Sequence, residues 1–577
     1  MVWWGGLAGL ILLGALLGGI MGEEQRSMVE SPEENPLIRE FESLTRKIDT
    51  HYTVPPDWDR LGRGAIRGML YALDPHSNFF DRREFSEMQN EQNSKFYGIG
   101  VTVNQRNQRL YVIGVERGLP GDLAGLRYGD AILAVDGQPT DLWTQSTLLA
   151  RVRGERGTMV ELTVERAGSE TPLTVQIERD EVPYPSVRNA FFLREGIGYL
   201  GLTGGFNLET TRELHAAIAE LKRQGMEALV LDLRRNPGGL LKQAVQVAET
   251  FLGRGTDIVA VRGREGRRVP QIYRSENADP ETFPLALLID RETASASEIV
   301  AGALQDHGRA KVIGEESFGK GLVQNVFRLR GGTGLTLTTA RYYTPSGRSI
   351  QREYTRGLIG SHPWSRSQEG SEAGRKGGGS WGRDDPPIAR FAFRLPLSPV
   401  PGARRSTARS PGAPPGGIQP DWVIPKEAQS LALRDLCFEF ARRLTSGYFP
   451  EFTQYRVKRS EFDHSFQGQE FPLSERVLGQ FRQFVRERQT LAVSPVEVET
   501  RLPYIRSRIR GEVIAAAYGM AAAEQFWMEN DSAAQYAAQL LQRLRRQQAT
   551  LPPPPRTGRA GSSVSPAVRA AGEEQKE

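Results

Sequence analysis

One cysteine, Cys437, stands in the whole sequence, so no disulfide can close within the chain and no cysteine cluster can hold a metal. Histidine is nearly as scarce. Six residues, at 51, 76, 215, 307, 362 and 464, show no pair at ligand spacing, which argues against a metal mechanism and for no cofactor of that kind. A strong charge of one sign is also missing: the formal net charge is +5 over 577 residues. The small basic excess can be located in the Arg/Gly/Pro/Ser-rich stretch 357–415 and in the last thirty residues, which read as solvated chain. A basic face on a folded element, as a nucleic-acid binder needs, is not evident, so no nucleic-acid partner is expected.

What is present is ordinary globular composition, 39% apolar and 25% charged. The length is too great for one core and predicts several domains. The first 22 residues carry no charge, and Glu23 is the first ionised group. About 20 apolar residues suffice to cross a bilayer as a helix. With neither a basic leader nor a clear small-x-small cleavage site, the segment reads as an uncleaved membrane anchor before a cleaved signal or a buried helix. Residues 1–22 thus predict a membrane contact and an extracytoplasmic location, periplasmic or cell-envelope, with orientation weakly set because basic flanks are lacking.

Residues 34–95 begin with helical spacing, split at Pro55 and Pro56. From 96 to 184 short runs such as "GIGVTV", "LYVIGV" and "MVELTVER" are punctuated by Gly, Pro and Asp. They predict a small β-rich module with short helices over 119–126 and 142–152. From 185 the rhythm becomes strand then helix, "ALVLDL" through "RRNPGG" and "LALLID" into "RETASASEIVAGAL", which argues for a layered α/β domain over 185–356 and 416–426. Residues 357–415 are a low-complexity insertion, 427–547 a helical region, and 548–577 a disordered tail. The fold class read from this is multidomain α/β, with a layered α/β domain, an inserted β-rich module and helical segments at both ends.

The chemistry centres on "TASASEIVAGALQDHGRAKVIGEESFGKGLVQ". Apolar residues at 296, 299, 300, 303 and 304 place Ser295 at a helix start, and with Glu298 three residues on it fits a capping box. The same position suits a nucleophile, because first-turn N–H groups stabilise an oxyanion. His307, twelve residues along the same helix and roughly 18 Å away at 1.5 Å per residue, cannot reach it. Lys320 lies among Phe318, Gly319, Gly321, Leu322 and Val323, uncharged neighbours that permit the burial a neutral, basic amine requires. Gln324 is a neutral group able to orient that amine.

This stretch resembles the active-site segment of the carboxyl-terminal processing peptidases, or tail-specific proteases, which use a Ser–Lys dyad. The resemblance selects Ser295 over Ser297 as nucleophile, Lys320 as its base 25 positions on, and Gln324 as the lysine's neighbour. It also implies an oxyanion pair made by the N–H of Ala296 and that of Gly238 or Gly239. "DPHSNFFDRREFSEMQ", "FYGIGVTV", "RGLPGDLAGLRYGDAILAVDG" and "TPSGRSIQ" resemble further family blocks in order. By this resemblance the β-rich module is a PDZ domain, whose Gly98, Ile99, Gly100 and Val101 hold a peptide's terminal carboxylate. The implied activity is a serine endopeptidase cutting near free C-termini of protein or peptide partners. A homo-oligomer is left open. The rival reading is a catalytically inactive PDZ scaffold. The insertion departs from the family pattern, and for the helical region 427–547 two roles stand open, pairing subunits or covering the cleft.

Overall fold

The computed structural model describes residues 35–264, 270–352, 404–405, 416–425, 430–462, 464, 468, 470–488 and 493–550. The expectations for residues 1–22, nearly all of 357–415 and the end of the tail lie outside the described residues. No helix among the described residues is long and apolar enough to cross a membrane.

The chain divides into two units, one reaching to Phe80 and including Val326–Leu337, the other made of the remainder. In the first, α1 (Pro36–His51) and α2 (Trp58–Leu73) are each started by a side-chain cap, Asn35 to the Leu37 N–H and Asp57 to the Arg60 N–H. Neither helix buries a residue. Strand β1 (Asn78–Phe80) pairs antiparallel with residues 334–336.

The second unit opens with α3 (Arg82–Gln92) and β2 (Lys95–Gly98), followed by the β-rich module. Its strands are β3 (Val101–Arg106), β4 (Arg109–Val115), β5 (Ala131–Val135), β6 (Gln138–Pro139), β7 (Met159–Glu165) and β8 (Leu173–Glu178). Two helices interrupt them, α4 (Pro120–Leu123) and α5 (Gln145–Val152). Both are shorter than the sequence predicts. Helix α5 waits for Thr144, whose hydroxyl accepts the Thr147 N–H at 3.2 Å and so fixes the start. The sheet runs β3-β4-β5-β7-β8, leaving β3 at an edge. β9 (Asp180–Pro183) pairs with β2, so the chain enters and leaves the module through one antiparallel ladder.

The α/β region follows: β10 (Val187–Arg194), β11 (Ile197–Leu202), α6 (Thr210–Arg223), β12 (Ala228–Asp232), α7 (Leu241–Glu249), β13 (Asp257–Gly263), β14 (Gln271–Arg274), β15 (Leu285–Ile289), α8 (Ala296–Asp306), β16 (Ala310–Gly314), β17 (Leu322–Arg328) and β18 (Gly334–Tyr343). Strands β19 (Arg404–Arg405) and β20 (Trp422–Val423) complete a sheet of order β10-β11-β12-β15-β16-β20-β19. Strands β11, β12, β15, β16 and β20 run parallel. Because β12 and β15 are buried at every residue, they read as unbroken apolar runs rather than alternations.

One face of this sheet is covered by α6, α7 and α8, whose Leu214, Ile218, Val247, Val300 and Leu304 share a core with Leu229, Leu231, Leu285 and Leu287. The other face is covered from the far end of the chain. The helical region comprises α9 (Leu431–Ser446), α10 (Glu475–Glu487), α11 (Pro495–Thr500), α12 (Leu502–Tyr518), α13 (Met520–Glu529) and α14 (Ser532–Thr550). Ala534, Tyr536, Ala537, Ala538 and Leu541 of α14 pack with Val230, Ala286, Leu288 and Ile313 of the sheet. A parallel sheet needs both faces covered. The last helix therefore belongs to the core of the α/β domain, a role that sequence reading did not assign it, and it runs three residues past the predicted boundary at 547.

Candidate active site

Three neighbouring parallel strands, β12, β15 and β16, deliver the predicted groups from their carboxyl ends. That edge of an open α/β sheet is where loops converge and ligands bind. After β12 comes the turn carrying Asn236, Gly238 and Gly239. The loop after β15 ends at Ser295, and the loop after β16 carries Ser317, Gly319 and Lys320.

Ser295 has φ 54° and ψ −116°, a backbone state that costs a non-glycine residue of order 1–3 kcal/mol. The glutamate half of the capping box is there, with Glu298 Oε2 accepting the Ser295 N–H at 2.7 Å. However, the Glu298 N–H is taken by the Ser295 carbonyl at 2.9 Å, and the Ser295 hydroxyl makes no cap hydrogen bond of its own. The half-buried hydroxyl is thus presented at the helix mouth rather than spent on the helix. Ser297 contrasts with it. Its side chain is fully buried and its hydroxyl donates to the Asn236 carbonyl at 3.1 Å. Local structure now separates the two serines, which pattern alone could not.

Glu298 does more than cap. Its Oε2 also accepts the Lys320 N–H at 2.9 Å, while Oε1 accepts the Gly319 N–H at 2.7 Å and the Ser317 hydroxyl at 2.5 Å. Two backbone nitrogens bonded to one oxygen lie no farther apart than the sum of their bonds, so Ser295 and Lys320 are drawn together by a single carboxylate. Lys320 Nζ donates to Gln324 Oε1 at 2.8 Å. The lysine loop is held further by Gln351 Oε1, which accepts the Gly321 N–H at 2.9 Å, and by the Arg352 N–H donated to Gly319 O at 2.9 Å. Ile418 N–H donates to Ser317 Oγ at 2.6 Å. Arg352 and Ile418, described residues before and after the insertion, are thus both bonded to this loop.

Asn236 ties the glycine turn to the serine. It is fully buried, its Nδ2 donates to Leu202 O at 2.6 Å, and its Oδ1 accepts the Gly238 N–H at 2.9 Å. Its carbonyl accepts the Ala294 N–H at 3.0 Å. Gly238, at φ 95°, lies so close to the serine that a β-carbon there would be 2.8 Å from both Ser295 Cβ and Ala296 N. Only glycine permits that approach. Gly239, at φ 145°, is packed against Phe206 and is exposed. Asn236 and the bridging work of Glu298 were missed from sequence; an Asn before Pro-Gly-Gly is the one signal that could have marked the turn.

Three of the described histidines, His215, His307 and His464, are bonded to other groups. His307 Nε2 bonds to the Asp257 carbonyl at 2.7 Å, His215 Nε2 to Thr250 Oγ1 at 2.9 Å, and His464 Nε2 to Glu470 Oε1 at 2.8 Å.

In the β-rich module Gly98, Ile99, Gly100 and Val101 form the approach to edge strand β3. Ile99 is 2% exposed, so its side chain belongs to the module's core. Its carbonyl accepts the Gly121 N–H at 2.7 Å. Gly100, at φ 70°, passes so near Leu119 that a β-carbon would lie 2.4 Å from the leucine Cβ.

A model of peptidase family S41 matches residues 196–358, and a PDZ domain model matches residues 86–165. The carboxy-terminal-processing protease of Bartonella bacilliformis is 38% identical over 349 residues, 60% of this chain and 79% of that protein. The carboxy-terminal processing protease CtpA of Bacillus subtilis is 31% identical over 338 residues, 58% of this chain and 70% of that protein. Among solved structures, the photosystem II D1 C-terminal processing protease is 32% identical, with 54% of this chain and 83% of that chain covered. Its TM-score of 0.34 is too low to bear on the fold. The molecule is a serine protease joined to a peptide-binding PDZ module. It belongs to peptidase family S41, among the carboxy-terminal processing proteases.

Proposed function

We propose that Ser295 and Lys320 form a catalytic dyad that cleaves extracytoplasmic proteins near a free C-terminus captured by the PDZ module. The observation that carries this reading is the shared Glu298 oxygen that draws the two residues together. Neutral Lys320 Nζ takes the proton from Ser295 Oγ as that oxygen attacks the peptide carbonyl carbon. Gln324 Oε1, accepting from Nζ, orients the amine without adding charge. The oxyanion is held by the N–H of Ala296 and that of Gly239, since the Gly238 N–H already donates to Asn236 Oδ1. The C–N bond breaks as protonated Lys320 returns the proton to the leaving amine, leaving an ester on Ser295. Lys320 then takes a proton from water, whose oxygen attacks the ester carbon, and passes it to Ser295 Oγ as the C–O bond breaks and the new C-terminus is released.

The extracytoplasmic part rests on the uncharged residues 1–22, read as a membrane anchor. For the dyad the test is cleavage of a peptide with a free carboxyl end. Ser295→Ala and Lys320→Ala should each lower kcat by on the order of 10⁴-fold or more while the unfolding midpoint stays put. Undiminished turnover in either variant refutes the assignment.

A further inference from the structure

An edge strand offers outward N–H and C=O groups on which an extended peptide can add. Strand β3 is such an edge, and its outward carbonyls can be identified. The Gly100 carbonyl accepts the Glu116 N–H at 2.9 Å and therefore faces β4. By the two-residue alternation of a strand, the carbonyls of Val101 and Val103 face away from β4, toward the open side. That of Val103 is occupied: Gln145 Nε2, from the first residue of α5, donates to it at 2.7 Å. A carbonyl only accepts, so the nitrogen of the carboxamide must face it.

We propose that Gln145 competes with the peptide tail for the PDZ edge and thereby sets how tightly a tail is held. This rests on the tail-capture reading above. Gln145 supplies the hydrogen bond that an incoming strand would make to Val103, and the strand forms its full ladder only by displacing it. With the terminal carboxylate at the Ile99–Gly100 turn, the last residue pairs with Val101 and the third from the end with Val103. The competition is therefore against one backbone N–H of the substrate, whatever side chain that residue carries.

The test uses the full chain carrying Ser295→Ala, so that peptide is bound and not cut, with or without Gln145→Ala or Gln145→Met. Gln145 is exposed and the Thr144 cap remains, so both variants keep α5. Two peptides are titrated by fluorescence anisotropy: one all-amide, the other with an ester in place of the amide whose N–H would meet Val103. Both variants should bind the amide peptide about three- to tenfold more tightly, the worth of one net hydrogen bond, and the ester peptide no more tightly than before. Unchanged or weaker binding of the amide peptide, or an equal gain for both peptides, overturns the competition while leaving tail capture standing. Failure of every form to prefer the free-carboxyl peptide over its C-terminal amide overturns tail capture, and the competition with it.

Discussion

The protein holds its reactive centre and its peptide-binding module by different means. Around Ser295 the bonds join loops at the ends of adjacent strands, and they run from backbone N–H groups to Glu298 and Asn236. The PDZ module is instead gripped by side chains of helices that begin about 250 residues after it. Arg442 of α9 lies 5.3 Å from the centre of the Tyr111 ring, donates to Gly129 O at 2.5 Å, and reaches both the carbonyl (2.9 Å) and the carboxylate (3.0 Å) of Glu165. Phe438 packs edge-on against Tyr111 and Tyr128, and the Tyr128 hydroxyl bonds to Glu512 of α12. A backbone network fixes atoms to within fractions of an ångström, as acyl transfer needs. A side-chain interface fixes the pose of a whole module and can be loosened without moving the nucleophile.

The largest break in that contrast comes from the smallest group. In Gly238→Ala the new carbon would sit 2.8 Å from Ala294 O, Ala296 N and Ser295 Cβ at φ 95°, and all three atoms belong to the nucleophile's own turn. Either the glycine turn or Ser295 must shift. We expect cleavage to fall by about 10²- to 10³-fold, the loss typical of a displaced oxyanion donor. Labelling of Ser295 by a serine-reactive probe should slow in parallel. Wild-type labelling in this variant would mean that the turn is not part of the reactive geometry.

Arg442→Ala addresses the other side of the comparison. Arg442 is 5% exposed, and its removal leaves the Gly129 and Glu165 carbonyls without that donor. The expected cost is about 2–4 kcal/mol in denaturant unfolding. Probe labelling of Ser295 should proceed at the wild-type rate in the folded fraction, because no bond of the catalytic network runs through α9. A fall in labelling comparable to that of Gly238→Ala would show the two regions to be one mechanical unit.

The same contrast explains what the sequence made readable. Strand periods and Gly and Pro punctuation are local, so the order of elements was legible, whereas the choice of Ser295 over Ser297 came from the family resemblance and not from local pattern. The bond of the Gly238 N–H to Asn236 Oδ1 was not legible, because it depends on where one N–H points in the folded turn. Nor was the docking of α14. An amphipathic stretch such as "AAQYAAQLLQRL" shows that one face is buried but not which surface receives it. Glu298 was visible as a cap, whereas its bonds to Ser317, Gly319 and Lys320 depend on a loop twenty residues away being folded back. Gln145 gave no signal, since its partner is a backbone carbonyl 42 positions earlier in the chain.

The smallest expected effect concerns pH and the carboxylate that joins the Ser295 and Lys320 loops. Burial pushes the Glu298 carboxyl above its ordinary value, and its four donors, the Ser317 hydroxyl and the N–H groups of Lys320, Gly319 and Ser295, pull it only part of the way back. The folded state therefore holds this proton more tightly than the unfolded chain, whose glutamate titrates at about 4.3. The resulting stabilisation is fully present below that value and is lost as pH rises through the folded one. In denaturant unfolding, the stability difference of wild type minus Glu298→Gln should decline as pH rises above about 4. Activity should move the other way. Only the ionised carboxylate is purely an acceptor, so only it can receive all four donors and keep the Ser295 and Lys320 loops joined. A difference that stays flat or grows with pH would mean that the donors, not burial, decide the charge of Glu298. The catalytic network would then gain stability from the same ionisation that makes it competent.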